Sequence, residues 1–294
     1  KNQPLQQLLN DNEELILINS GDDLNSAVTS GIDSLGFSSD LTLYKKVDSL
    51  GYSDVYVYST HEDSAFYQLS FTQVGPGNGN YVLDDFTAFG RVYRWVKPDT
   101  VSGDIVLNGE YEPVLFLVPP QKRQMVTFQA DYAVTKNTVF GVETALTNYD
   151  VNTFSPVDNQ DNTGFGGELH WKTKKNLSSD TNGWYLTNRV ATEFRNRNFN
   201  PIERYRKVEF ERNWNILGKT LTGDQLLARG DLGFAKKGLG HIKYTFNTLQ
   251  SLQQYSGFKN GLSVKLNKKG TRINYNGNYT QTDGFETTAF LRHK

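Results

Sequence analysis

Gln225-Leu-Leu-Ala-Arg-Gly-Asp-Leu-Gly-Phe234 runs to a Lys236-Lys237-Gly238 break, and His241-Ile-Lys-Tyr-Thr-Phe-Asn-Thr248 follows. Leu226, Ala228, Gly230, Leu232 and Phe234 share one parity and carry no charge, while Arg229 and Asp231 stand between them. Ile242, Tyr244, Phe246 and Thr248 repeat the pattern against Lys243 and Asn247. A period of two is the signature of strands with one apolar and one wet face. Three further stripes continue it: Leu262/Val264/Leu266, Ile273/Tyr275/Gly277/Tyr279 and Phe285/Thr287/Ala289/Leu291. The breaks at Lys268-Lys269-Gly270 and Asp283-Gly284 are too short for a crossover. Neighbouring strands must therefore be antiparallel, which predicts an up-and-down meander.

The same alternation extends upstream. Val126 to Val134, Phe140 to Leu146, Phe165 to Trp171 and Trp184 to Phe194 each give a charge-free parity, with Asp131, Glu143, Arg189, Glu193 and Arg195 on the other. Arg204, Arg206, Val208, Phe210, Arg212 and Trp214 also share a parity, and read as a strand whose apolar face is interrupted by arginines. From Gln124 to Lys294 this makes about ten strands of about nine to eleven residues, a length that crosses a bilayer when tilted. Apart from the Arg204–Trp214 run, the stripes predict a face turned to lipid or to a hydrophobic partner. A packed core would prefer Leu, Ile and Val to the Gly, Ala, Thr and Tyr found here.

Pro119-Pro120-Gln121 marks a boundary. Residues 1–121 read as a β-rich, sandwich-like accessory domain with a short N-terminal helical segment, and residues 122–294 as the amphipathic meander. Pro4 to Leu9 is expected to start a helix, whereas the Ile-rich Glu14 to Ile18 looks more strand-like. Val114 to Val118 is apolar without alternation, the pattern of a strand buried on both faces. Gly75-Pro-Gly-Asn-Gly79 has the glycine spacing of a phosphate cradle but no helix after it, so it reads as a turn.

Composition narrows the function. The chain has 294 residues, a net charge of −1 and no cysteine. Disulfides, thiolate metal sites and cysteine nucleophiles are thereby excluded, and no basic field is available for nucleic acid. No stretch is long and apolar enough for a membrane helix. The chain begins at Lys1, which is expected of a mature or excised segment. It ends Phe290-Leu-Arg-His-Lys294 without a terminal aromatic, so any barrel is expected to close with strands outside it.

Two clusters are site candidates. Arg91, Tyr93 and Trp95 share a strand face suited to stacking on a glycan, or else form an ordinary solvated face. Asp150, Asn152, Asp158 and Asp161 gather hard oxygen ligands for calcium, although Asx residues also simply cap turns. The four histidines are scattered. His170 shares a face with Glu168, but two ligands do not make a metal site. No Gly-x-Ser-x-Gly elbow is present, and the adjacent pairs Asp84/Asp85 and Glu13/Glu14 point to opposite faces in a strand. No catalytic residue is assigned.

Gly75-Pro-Gly-Asn-Gly-Asn-Tyr-Val82, Gly90-Arg-Val-Tyr-Arg-Trp-Val96, Gly109-Glu-Tyr-Glu-Pro-Val-Leu-Phe-Leu-Val-Pro-Pro120 and Thr147-Asn-Tyr-Asp-Val-Asn-Thr-Phe-Ser-Pro-Val-Asp158 together resemble large cell-envelope proteins of the Bacteroidota. More loosely, the chain is similar to the giant outer-membrane barrels of that phylum, such as the type IX secretion translocon. The resemblance spans roughly residues 55–215 and transfers no functional residues. It implies the outer membrane or cell envelope, with lipid or envelope proteins as partners. The expected function is a non-enzymatic structural, assembly or transport component. The alternatives are a secreted β-sandwich that binds glycan and a carbohydrate-active enzyme.

Overall fold

The computed structural model describes residues 9–179 and 182–294. It is all-β apart from two helices among the described residues. The chain divides into two compact units, Lys1–Gln121 with Val151–Asp158, and Lys122–Asp150 with Asn159–Lys294.

In the first unit, helix α1 (Asp11–Asn19) replaces the strand expected around Glu14 to Ile18. Local chemistry explains the correction. The Asn10 side chain accepts from the Glu13 N–H, and the Glu13 carboxylate accepts from the Asn10 N–H, a reciprocal capping box. Asp11, Glu13 and Glu14 add negative charge at the positive end of the helix dipole. A good cap is worth about 1 kcal/mol, which outweighs the few tenths that each isoleucine costs a helix. Leu17 anchors α1 against Ala27 and Leu117. The helix expected from Pro4 lies, but for Leu9, outside the described residues.

Two four-stranded antiparallel sheets make up most of this unit. One orders Ile32–Ser34, Tyr67–Leu69, Leu43–Ser49 and Tyr52–Tyr58; the other orders Thr72–Gln73, Tyr111–Glu112, Tyr81–Thr87 and Gly90–Trp95. They share a tyrosine core built from Tyr44, Tyr56, Tyr81 and Tyr93. The Tyr56 N–H donates to the Tyr81 hydroxyl at 3.1 Å, and the Tyr93 N–H donates to the Tyr44 hydroxyl at 2.9 Å. Phenol oxygens thus satisfy backbone donors across the core, and burial pushes the pKa values of Tyr44 and Tyr81 up to about 12. Val114–Phe116 pairs with Val28–Ser30 in a two-stranded ribbon. Leu115, Phe116 and Val118 are exposed and only Leu117 is buried, so the expected two-sided burial is corrected. A ribbon of two strands has too little cover to hide both faces. Gly75 and Gly77 have positive φ and shape the expected turn, which ends in a bridge from Gly79 to Gly109.

The second unit is one antiparallel meander. Its strands are β1 (Lys122–Thr135), β2 (Thr138–Asp150), β3 (Thr163–Asn176), β4 (Trp184–Arg195), β5 (Gln225–Lys236), β6 (Gly240–Ser251), β7 (Tyr255–Lys268), β8 (Thr271–Asp283) and β9 (Thr288–His293). They pair in sequence order, and β1 and β9 are its open edges. The sheet therefore has nine strands among the described residues where about ten were expected, and it is not a closed barrel. The missing strand is the Arg204–Trp214 run, which forms a loop and the short helix α2 (Phe210–Asn213). Arginines on an apolar parity denied it a clean sheet face.

Register gathers the sequence stripes onto one surface. Phe140 faces Trp171, Trp171 faces Val190, Val190 faces Gly230, and Gly230 faces Phe246. Tyr244 faces Leu262, and Val264 faces Tyr275. Directly opposed residues share a face, so the stripes form one continuous apolar surface. That surface is open: Leu226 is 41% exposed, whereas its neighbour Leu227, on the other face, is 3% exposed.

Candidate functional site

The covered face of the meander is the charged one. Register sets Glu143, Glu168 and Glu193 side by side on β2, β3 and β4, in a row that continues to Leu227 and Leu249. The next row runs from Asp131 on β1 through Gly141, His170 and Ala191 to Arg229 and Asn247. Like charges directly opposed on neighbouring strands repel, and arginines offset this. Arg229 Nη2 donates to Glu168 Oε2 and lies 3.6 Å from Glu193 Oε2. Arg189 approaches Glu168 at 3.5 Å. His170 Nε2 lies 3.1 Å from Asp131 Oδ1, and its Nδ1 lies 3.8 Å from Glu168 Oε1.

Residues 196–224, between β4 and β5, fold back across this face. Arg206 is the pin. Its guanidinium lies 2.6 Å from Glu193 Oε1, donates to Gln225 Oε1 at 2.7 Å and covers the Phe210 ring at 4.3 Å. The planar fork serves carboxylate, amide and ring together, which an ammonium cannot do. Past α2, Trp214, Ile216 and Leu221 pack on Leu227, Leu249 and Tyr255. The Tyr255 hydroxyl donates to the Trp214 carbonyl. Other bonds fix the loop: Asn200 N–H to Thr147 Oγ1 on β2 at 3.2 Å, Asn215 to Thr288 Oγ1 on β9 at 3.4 Å, and, within the loop, Arg197 N–H to Asp224 Oδ1 at 2.8 Å. Two glycines admit the loop. A Cβ on Gly164 would meet the Asn198 carbonyl oxygen at 2.3 Å, and one on Gly257 would meet the Trp214 ring at 2.9 Å.

Loop and sheet border a half-open cavity of about 450 Å³, whose lining includes Glu143, Glu168, Glu193, Arg206, Arg229 and Lys259. Its carboxylates Glu168 and Glu193 are both held by arginine, an arrangement that fixes a loop rather than one that poises an acid and a base.

The sequence candidates fall elsewhere. Tyr93 is buried in the tyrosine core, stacked on Phe71 with ring centroids 4.2 Å apart, and Trp95 packs against the same cluster, while Arg91 is exposed. The three do not form one open glycan face, because two of them are needed to fill the core. Asn152, a proposed calcium ligand, is buried and donates to the carbonyls of Leu17 at 2.7 Å and Gly21 at 2.8 Å, closing the end of α1. Asn152 and Asp158 belong to the first unit, Asp150 and Asp161 to the second. Among the described residues, no group of three or more His, Asp or Glu side chains is placed to hold a metal. Sequence reading missed the Arg206–Glu193 pin. The signal in the sequence was that Glu143, Glu168 and Glu193 each sit on the polar parity of their strand, while the Arg204–Trp214 run sets arginines on an apolar one.

Comparison with protein-family models, curated proteins and solved structures gives no match.

Proposed function

We propose that this chain is a non-enzymatic component of an outer membrane or cell envelope, with a structural, assembly or transport role. In this reading β1–β9 form part of a β-barrel wall whose apolar face meets lipid. One observation carries it: the open face of the meander is apolar, while its charged face is covered by a loop. Soluble monomers rarely expose a contiguous apolar patch above a few hundred Å². Outer-membrane barrels have this polarity, apolar outward and polar inward, often with a loop folded into the lumen. The strands of 12 to 14 residues from β1 to β8 also exceed the usual globular length. Hydrocarbon satisfies no backbone N–H or C=O, so the edges β1 and β9 need partner strands in a bilayer. The Bacteroidota resemblance points to the same compartment.

The test compares Phe246→Arg, on the open face, with Lys243→Arg, on the charged face. An arginine near the bilayer midplane costs about 2–4 kcal/mol. Phe246→Arg is expected to abolish membrane assembly, and Lys243→Arg to leave it unchanged. A protein that purifies without detergent as a stable monomer overturns the reading.

A further inference from the structure

The apolar face ends differently at its two rims. Toward the short turns, the outward parities of three strands run into lysine: Trp171 leads to Lys175 on β3, Phe234 to Lys236 on β5, and Leu266 to Lys268 on β7. The turns beside them add Lys136, Lys237 and Lys269. Toward the other rim the outward parities of β2 and β8 reach Asp150 and Asp283, with Lys122 opposite Asp150, while Asp224, just before β5, accepts from the Arg197 N–H of the covering loop. Among the described residues, no carboxylate ion-pairs with the six lysines of the short-turn rim. Asp180, in the connection between β3 and β4, lies outside the described residues.

Between the rims the apolar stripe on β5, from Leu226 to Phe234, runs roughly 26 Å at about 3.3 Å per residue. Tilted by the roughly 35–45° usual for such strands, the stripe spans about 20 Å of the apolar band of about 25 Å on outer-membrane barrels. A lysine at the end of such a stripe lays its alkyl stem along apolar surface and carries its ammonium beyond it. Trp171 and Trp184 flank the same rim on the apolar face, where amphipathic rings suit a headgroup layer. An ammonium in this layer is attracted by headgroup phosphate, and a carboxylate is repelled by it.

We propose that the lysine rim seats on the anionic headgroups of a lipid leaflet, so that the short-turn end of β1–β9 lies in that leaflet and the aspartate end lies away from it. This rests on the lipid-facing reading of the apolar face. Lys175, Lys236 and Lys268 are the anchoring residues, because of the six they alone lie within strands, on the apolar parity.

The test is flotation of the purified full chain with vesicles of phosphatidylcholine alone, or of equal parts phosphatidylcholine and phosphatidylglycerol. Each lysine near an anionic surface contributes about a fivefold gain in binding, so three give roughly a hundredfold preference for the anionic vesicles, weakened by salt. The combined variant Lys175→Gln/Lys236→Gln/Lys268→Gln is expected to lose the preference while still binding neutral vesicles. Lys243→Gln, on the other face, is expected to keep it. Equal binding of the unaltered protein to both vesicles overturns the anchor and leaves the lipid-facing reading standing. Binding to neither overturns both. A preference that survives the triple substitution overturns the assignment to these lysines.

Discussion

The two units place the same residue types on opposite sides. In the first, Tyr44 and Tyr81 are 1% and 3% exposed and meet others of their kind between two small sheets. In the meander, Tyr132 and Tyr244 are 69% and 46% exposed, on a face shared with Phe, Leu and Val. Meanwhile Glu193, Gln225 and Thr282 are buried on its other side. The first unit is ordered as water dictates, with its tyrosine cluster inside. The second is reversed, and its polar side is stabilised by ion pairs and by a loop that brings its own small apolar cluster. Apolar residues alone therefore do not say where a core is; what covers each face decides it.

The largest expected effect comes from taking away the pin of the reversed unit. Arg206→Ala leaves Glu193 largely buried without that partner, and breaking such a pair costs about 3–5 kcal/mol. Limited proteolysis is expected to show residues 196–224 cut much faster in the variant, with the strands still resistant. Unchanged cutting would mean that the loop is held without the pin.

Next in size is a contrast between the two faces of the meander. Leu249 is fully buried beneath the loop, so Leu249→Ala is expected to cost about 2–5 kcal/mol. Leu226→Ala, on the open face, removes little packing and is expected to fall well below that range. Denaturant titration of both variants, followed by tryptophan fluorescence, reads the difference. Equal losses would erase the distinction between a covered and an open face.

The smallest effect tests the tyrosine core. Tyr44→Phe and Tyr81→Phe each strip a backbone N–H of its acceptor, at about 1–3 kcal/mol. The pH dependence has a definite sign. Folding holds both phenols protonated up to about 12, while in the unfolded chain they lose the proton near the ordinary value of 10. Between these values the unfolded state binds fewer protons, so stability is full below pH 10 and falls as pH rises toward 12. Each Phe variant is expected to make that fall shallower. A fall of undiminished steepness in both would place the alkaline sensitivity elsewhere.

The period of two is a local property, and so the meander was legible in the chain. Alternating polarity from Val126 to Tyr279, with glycine-containing breaks, leaves few other ways to satisfy the backbone. The capping box at Asn10 to Glu13 was equally local, yet the isoleucines of Glu14 to Ile18 masked it. Val114 to Val118 misled because an apolar run reports composition and not cover. Arg91, Tyr93 and Trp95 do share a parity, but only the opposing sheet reveals that Tyr93 is inside. The Asx-rich stretch hid its use for the same reason: Asn152 serves carbonyls more than a hundred residues earlier in the chain, at Leu17 and Gly21.

Alternation and turn spacing along the chain thus determine the strands, their antiparallel order and which residues share a face. Those follow from backbone geometry, which each residue carries with it. Which face is covered, that Arg206 meets Glu193, and that the Arg204–Trp214 run leaves the sheet to roof a cavity were decided by tertiary structure. They depend on contacts between residues far apart in sequence, whose energies come from desolvation and charge pairing and do not exist until the strands are in register.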